Sequence, residues 1–117
     1  MTDHEERVFP ENVFIVINAQ VFSIQKPITT IGRKLGNDLV IQDSMVSRTH
    51  AEIRFQDGKF HIVDLNSTGG TFINNKKVES KILFPGDTIH IANVPLTFII
   101  EDPGFESKSS DKTSDLE

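Results

Sequence analysis

Along the first hundred or so residues, apolar and polar positions come in short bursts separated by residues that favour turns. No segment repeats with the period of an amphipathic helix. Residues 13–17, Val-Phe-Ile-Val-Ile, are β-branched or aromatic throughout and predict a strand buried on both faces or nearly so. Asn18-Ala19 predicts a tight turn, and residues 21–25 return as the partner strand of a hairpin. Lys26-Pro27 breaks that strand, and residues 28–31 form a third one that ends at Gly32-Arg33. Residues 34–43 read as loop around a brief strand at 39–41, and 42–45 again as loop.

Residues 50–55 alternate, with Ala51, Ile53 and Phe55 on one face, and Asp57-Gly58 turns the chain into a second strand over 60–65. Strands at 71–73 and 77–78 flank Asn74-Asn75, two residues that tolerate positive φ and so suit a primed turn. Pro85-Gly86-Asp87 is another turn, after which residues 88–91 and 96–100 predict a closing hairpin through Asn93. Roughly ten short strands with turn signals every few residues predict an all-β fold, a β-sandwich.

A chain of 117 residues fits a single domain with its own core. The formal charge of −5 hides a division: residues 1–12 carry four acids and one base, and residues 101–117 carry six acids and two bases. The remaining body, 13–100, is therefore +2, with nine Lys/Arg against seven Asp/Glu. The expected organisation is an acidic disordered tail over 1–12, a folded domain over 13–100, and an acidic disordered tail or linker over 101–117, where too little apolar surface remains to drive ordering. A mildly basic body can receive an anion, but it lacks the dense Lys/Arg face of a nucleic-acid binder. With no apolar run long enough for a bilayer and an acidic N-terminus, neither membrane nor nucleic acid is an expected partner. The absence of cysteine excludes disulfides and thiolate metal sites and suits a cytoplasmic location.

The candidate chemistry lies in three short pieces: Gly32-Arg33, Ser47-Arg48-x-His50, and Ser67-Thr68-Gly69-Gly70-Thr71. A guanidinium at a loop rim offers paired N–H donors to a phosphate, and the glycine before it allows a sharp exit from the strand. Ser47 sits on a loop with its hydroxyl and N–H available. His50 has two readings, a base beside Ser47 or a structural ring tying loops together; a hydrolytic triad also needs an oriented carboxylate and an oxyanion hole, which the spacing does not identify. The Ser/Thr/Gly run lacks the lysine of a nucleotide-binding loop and precedes a strand rather than a helix. No catalytic residue, metal site or cofactor is expected.

In this order and at this spacing, the three pieces make the chain resemble a forkhead-associated (FHA) domain over about residues 13–100, with further matches at Asn37-Asp38-Leu39-Val40-Ile41, Asp64-Leu65, Asn74 and Pro85-Gly86-Asp87. The resemblance implies a sandwich of two mostly antiparallel sheets whose loops at one end bind phosphothreonine peptides. It implies that Arg33 contacts the phosphate, that Ser47 donates its hydroxyl to it, that Arg48 adds charge at the rim, and that Thr68 reaches the ligand from the opposite loop. Gly32 and Gly70 would shape the loops, and His50 and Thr71 would brace them. Gly69 departs from the pattern, since the family usually has asparagine there. The missing amide removes hydrogen bonds to the peptide worth about 0.5–1.5 kcal/mol each.

The implied function is a non-catalytic module for phosphothreonine-dependent protein–protein interaction. A phosphate-independent interaction or oligomerisation domain of the same fold is the alternative that Gly69 favours. Phosphorylation of a tail threonine, Thr2 or Thr113, would in addition allow self-binding, against the plainer reading of a solvating tail.

Overall fold

The computed structural model describes residues 9–101 of the 117-residue chain. Eleven strands run in order: β1 Val13–Ile17, β2 Gln20–Ser23, β3 Ile28–Gly32, β4 Leu39–Val40, β5 Ala51–Gln56, β6 Lys59–Asp64, β7 Thr71–Ile73, β8 Lys76–Lys77, β9 Ser80–Ile82, β10 Thr88–Ile91 and β11 Val94–Ile100. They form a six-stranded sheet ordered β2-β1-β11-β10-β7-β8 and a five-stranded sheet ordered β4-β3-β5-β6-β9. All neighbours are antiparallel except β3 and β4. This is the expected sandwich of mostly antiparallel sheets.

Alternation sets which side chains face inward. Val13, Ile15 and Ile17 of β1 are buried, while Phe14 and Val16 are half-buried, so one face of this strand is sealed and the other only partly covered. Ile53 and Ile62 face each other across β5 and β6 and join Ile31, Ile89 and Phe98 in the fully buried centre. Three hairpin turns, Asn18-Ala19, Asp57-Gly58 and Asn74-Asn75, have positive φ at both central residues (52 and 62, 53 and 75, 49 and 73 degrees). These primed turns match the right-handed twist of the strands they join, as the asparagine and glycine content indicates.

Two strands differ from expectation. β9 was not anticipated, because Ser80 and Lys81 are exposed and only Ile82 is partly covered, which leaves no alternation to read. β11 starts at Val94 rather than after Pro95. Proline is tolerated there because β1 reaches β11 only from Thr97 onward, so the missing N–H is not needed by a neighbour on that side.

An aromatic cluster closes one end of the sandwich. Phe60 meets Phe55, Phe98 and Phe9 at ring distances of 4.7, 5.4 and 5.8 Å, and Phe9 also packs edge-on against Phe55 at 5.2 Å. Phe9 thus joins the packed unit ahead of the expected domain start at Val13. Residues 1–8 and 102–117 of the expected tails, with Thr2 and Thr113, lie outside the described residues. The cluster sits beside the Asp57-Gly58 turn, whereas His50 lies at the opposite end of β5, so the packing fixes the sheets at one end and leaves the other to loops. Phe98→Ala is expected to lower stability by about 3–5 kcal/mol, because the ring is fully buried and a cavity would remain; urea unfolding measures it.

Candidate functional site

Three loops meet at the end away from the aromatic cluster: residues 33–38 after β3, 41–50 between β4 and β5, and 65–70 between β6 and β7. None of them has regular structure to satisfy its own main chain. Each is instead held by hydrogen bonds to the others.

Arg33 leaves β3 with its N–H donating to Ser47 O at 3.0 Å and its Nε donating to Val46 O at 2.9 Å. One of its guanidinium nitrogens is thereby spent on orientation, and the two terminal nitrogens keep their N–H groups for a ligand. The position of Arg33 depends on the residue before it. A Cβ on Gly32 would lie 2.2 Å from Arg48 O, so only glycine lets the β3 end lie against the 47–50 segment. Asn37 then ties the first loop down, donating from Nδ2 to both Lys34 O and Arg48 O at 2.8 Å. Asp38 accepts from the Thr30 N–H at 2.9 Å and from Lys26 Nζ at 2.7 Å. The Lys26 hydrogen bond, followed by the Thr30 N–H, holds its carboxyl below the ordinary aspartate range.

Ser47 faces the third loop. Its Oγ accepts the Thr68 N–H at 3.0 Å, which leaves the hydroxyl proton free to be donated elsewhere. Behind it stands His50, fully buried. Its Nδ1 accepts the Ser47 N–H at 3.0 Å, and its Nε2 lies 2.8 Å from Gly70 O. A main-chain N–H only donates and a carbonyl only accepts, so the geometry requires a neutral ring protonated on Nε2. The base reading of His50 finds no support here, because the ring contacts the Ser47 main chain and not its hydroxyl, and its other nitrogen is also occupied.

The third loop is wound around Asp64. Its Oδ1 accepts the Ser67 and Thr71 hydroxyls, both at 2.6 Å, and its Oδ2 accepts the Ser67 N–H at 3.0 Å. Ser67 Oγ in turn accepts the Gly70 N–H at 2.9 Å. Burial works against the charged carboxylate, but the Ser67 and Thr71 hydroxyls and the Ser67 N–H outweigh it and leave the group below its ordinary value. Gly70 takes a φ of 86 degrees, a conformation that suits glycine. Gly69 is glycine for another reason: a Cβ there would stand 2.8 Å from both Met45 O and Ala92 Cβ.

The result is an open groove of about 350 Å³ lined by Arg33, Met45, Ser47, Arg48, Thr68 and Gly69. All five residues expected to face a ligand, Arg33, Ser47, Arg48, Thr68 and Gly69, come together on it. The four expected to support the loops, Gly32, His50, Gly70 and Thr71, are buried behind it. Sequence reasoning assigned no role to Asn37, Asp38, Asp64 or Ser67.

Nitrogen-detected NMR on the free protein at neutral pH should show His50 protonated on Nε2 alone. His50→Ala should cost at least about 1–3 kcal/mol, because the Ser47 N–H loses its partner, while Gly70 O keeps the Ala92 N–H. Asp64 has a folded pKa below the ordinary 3.8, so its stabilisation is complete above that pH and is lost as acid titrates the folded carboxylate below it. Amide exchange of residues 66–71 should therefore accelerate below pH 3.8, and Asp64→Asn should remove that acid-dependent step.

The model of the FHA domain family matches residues 29–92. An oxoglutarate dehydrogenase inhibitor from Corynebacterium diphtheriae is 42% identical over 78 residues, which cover 67% of this chain and 54% of the relative. The chain thus spans about half the length of the curated relatives it matches. An FHA domain structure solved in a study of phosphothreonine-dependent FHA domain interactions is 28% identical with a TM-score of 0.73, covering 77% of this chain and 97% of that one. The structure of Mycobacterium tuberculosis EmbR in complex with a low-affinity phosphopeptide gives a TM-score of 0.75 at 27% identity, covering 86% of this chain and 28% of that one. With the sandwich, the glycine-arginine strand end, and the serine and histidine loop all in place, the chain belongs to the FHA domain family.

Proposed function

We propose that this chain is a phosphothreonine-peptide binding module that makes a protein–protein interaction depend on phosphorylation, with residues 13–100 as its functional unit. The observation that carries this reading is the Arg33 side chain: anchored through Nε on Val46 O, it lines the same groove as Ser47 and Thr68 with both terminal nitrogens unspent. A phosphate at neutral pH carries close to two negative charges and three strong acceptor oxygens. Arg33 supplies paired charge-assisted donors, Ser47 a hydroxyl proton, and Arg48 further positive charge at the rim. Because His50, Asp64 and Asn37 fix the loops before any ligand arrives, little ordering is needed on binding.

The reading is supported by the FHA domain structure solved in work on phosphothreonine-dependent interactions and by the EmbR complex with a phosphopeptide. The relatives named as inhibitors and regulators support a non-catalytic role. Ser47 has no base, since both His50 ring nitrogens are bound to main chain. No helix among the described residues is long and apolar enough to cross a membrane, and together with the lack of cysteine this favours a cytoplasmic partner protein.

One observation favours a second reading, a phosphate-independent interaction surface of the same fold: Met45, which lines the groove, and Leu35, on the loop that follows Arg33, are 54% and 76% exposed, and Gly69 offers no amide to a peptide. Titration with matched phosphorylated and unphosphorylated threonine peptides separates the two. The proposal expects binding only to the phosphorylated set; equal affinity for both would establish the second reading. Arg33→Ala should weaken phosphopeptide binding at least about 100-fold, the equivalent of two charge-assisted hydrogen bonds, with the melting temperature lowered by only a few degrees.

A further inference from the structure

We propose that the phosphopeptide site has a second half: a groove beside it that takes an extended, unphosphorylated segment continuous with the phosphothreonine, paired main chain to main chain along the open edge of β4. This rests on the preceding reading of the Arg33 groove and adds what lies beyond the phosphate.

The second groove, of about 410 Å³, lies between the β1–β2 turn, the strand β4 and the β10–β11 turn, and its lining includes Gln20, Val40, Gln42, Asp43 and Asn93. The two grooves share one loop: Gln42 and Asp43 line the second, and Ser44 and Met45 line the first. They also approach each other across the third loop: a Cβ on Gly69, which lines the first groove, would stand 2.8 Å from Ala92 Cβ, and the next residue, Asn93, lines the second.

The wall of the second groove carries unused main chain. Ile41 N–H donates to Gly32 O at 2.9 Å, and β3 and β4 pair in register Ile31 to Leu39 and Gly32 to Val40. In a parallel ladder alternate residues bond to the neighbour, so Leu39 and Ile41 face β3 and the polar groups of Val40 face outward. Open edges invite strand addition and are commonly guarded by lysine or proline. The far edges of both sheets follow that rule, since β8 is Lys76–Lys77 and β9 contains Lys81. The near edges, β4 and β2 with Gln20 to Ser23, carry neither residue, and both border this groove. Four of its five polar side chains, Asn18, Gln20, Gln42 and Asn93, are neutral amides, which carry both donors and acceptors and so can pair with a peptide main chain. Its one carboxylate, Asp43, already accepts the Met45 N–H at 2.8 Å.

Fluorescence anisotropy with three phosphothreonine peptides tests the proposal: a core with about three residues on each side, and the same core lengthened by about six residues, roughly 20 Å of extended chain, on one side or the other. One lengthened peptide should bind at least about fivefold tighter than the core, the gain expected of one or two hydrogen bonds. Val40→Pro should remove that gain, and the surface double variant Gln20→Ala with Gln42→Ala should reduce it, both leaving core-peptide affinity unchanged. The double variant keeps the test decidable should proline disturb the sheet. Equal binding of all three peptides, or a gain untouched in the double variant, would overturn the proposal while leaving the phosphate site intact. A core peptide that does not bind at all would overturn the phosphothreonine reading, and this one with it.

Discussion

The loops of this protein depend on one imidazole. His50 spends every polar group it has on main chain: its N–H on Ile31 O at 2.9 Å, its carbonyl on the Leu65 N–H at 2.8 Å, Nδ1 on the Ser47 N–H and Nε2 on Gly70 O. Gly70 O also accepts the Ala92 N–H at 2.9 Å, so that single carbonyl joins the β6–β7 loop to the β10–β11 turn as well as to the ring. Irregular segments cannot pair their own amides, and each buried group left unpaired costs about 1–3 kcal/mol. A flat ring with an acceptor on one side and a donor on another meets this need where no aliphatic core residue could. The groove is rigid because polar pairing is completed behind it and not because its front surface is packed.

The two sheets divide the work around that junction. Aliphatic alternation and the phenylalanine cluster supply the cohesion at the far end, while the strand ends of β3, β5, β6 and β7 deliver the loops to a common place. Arg33 shows the consequence. It is exposed, yet its Nε is fixed on Val46 O, and the segment that holds Val46 is itself fixed by Asp43 O through the Val46 N–H at 2.9 Å. A solvent-facing arginine thus acquires a defined direction from a chain of contacts that ends in the core.

Local chemistry made much of this legible in the sequence. Primed turns at Asp57-Gly58 and Asn74-Asn75 follow from which residues tolerate positive φ, and buried positions such as Ile53 and Ile62 follow from period-two alternation. The glycine-arginine, serine-histidine and Ser/Thr/Gly pieces have residue types that suit an anion, and their order and spacing, which resemble those of an FHA domain, allowed them to be named as one site. What stayed hidden was long-range or lacked a pattern. β9 has no alternation to betray it, since its partner β6 and not its own side chains make it a strand. Asn37 reads as a turn residue and Asp64 as part of a strand, both as matches to the family pattern without a role, and only the fold reveals that one closes onto Arg48 O and the other gathers two hydroxyls and an N–H. Sheet partners, and the meeting of Ala92 with Gly69, belong to tertiary structure that a one-dimensional pattern does not encode.

Gly69 shows how far the two views can diverge. By pattern it is a lost asparagine. In the fold the space for a side chain is already taken, by Met45 O on one side and Ala92 on the other, at 2.8 Å from where a Cβ would stand. Met45 cannot simply yield, because its N–H is held by Asp43 Oδ1 and the next carbonyl along, Val46 O, is the one that aims Arg33. An asparagine at 69 would have to move main chain that is coupled through one residue to the Arg33 guanidinium. The glycine is therefore part of the mechanical setting of Arg33: the main chain it lets pack this closely is one residue from the carbonyl that aims the guanidinium.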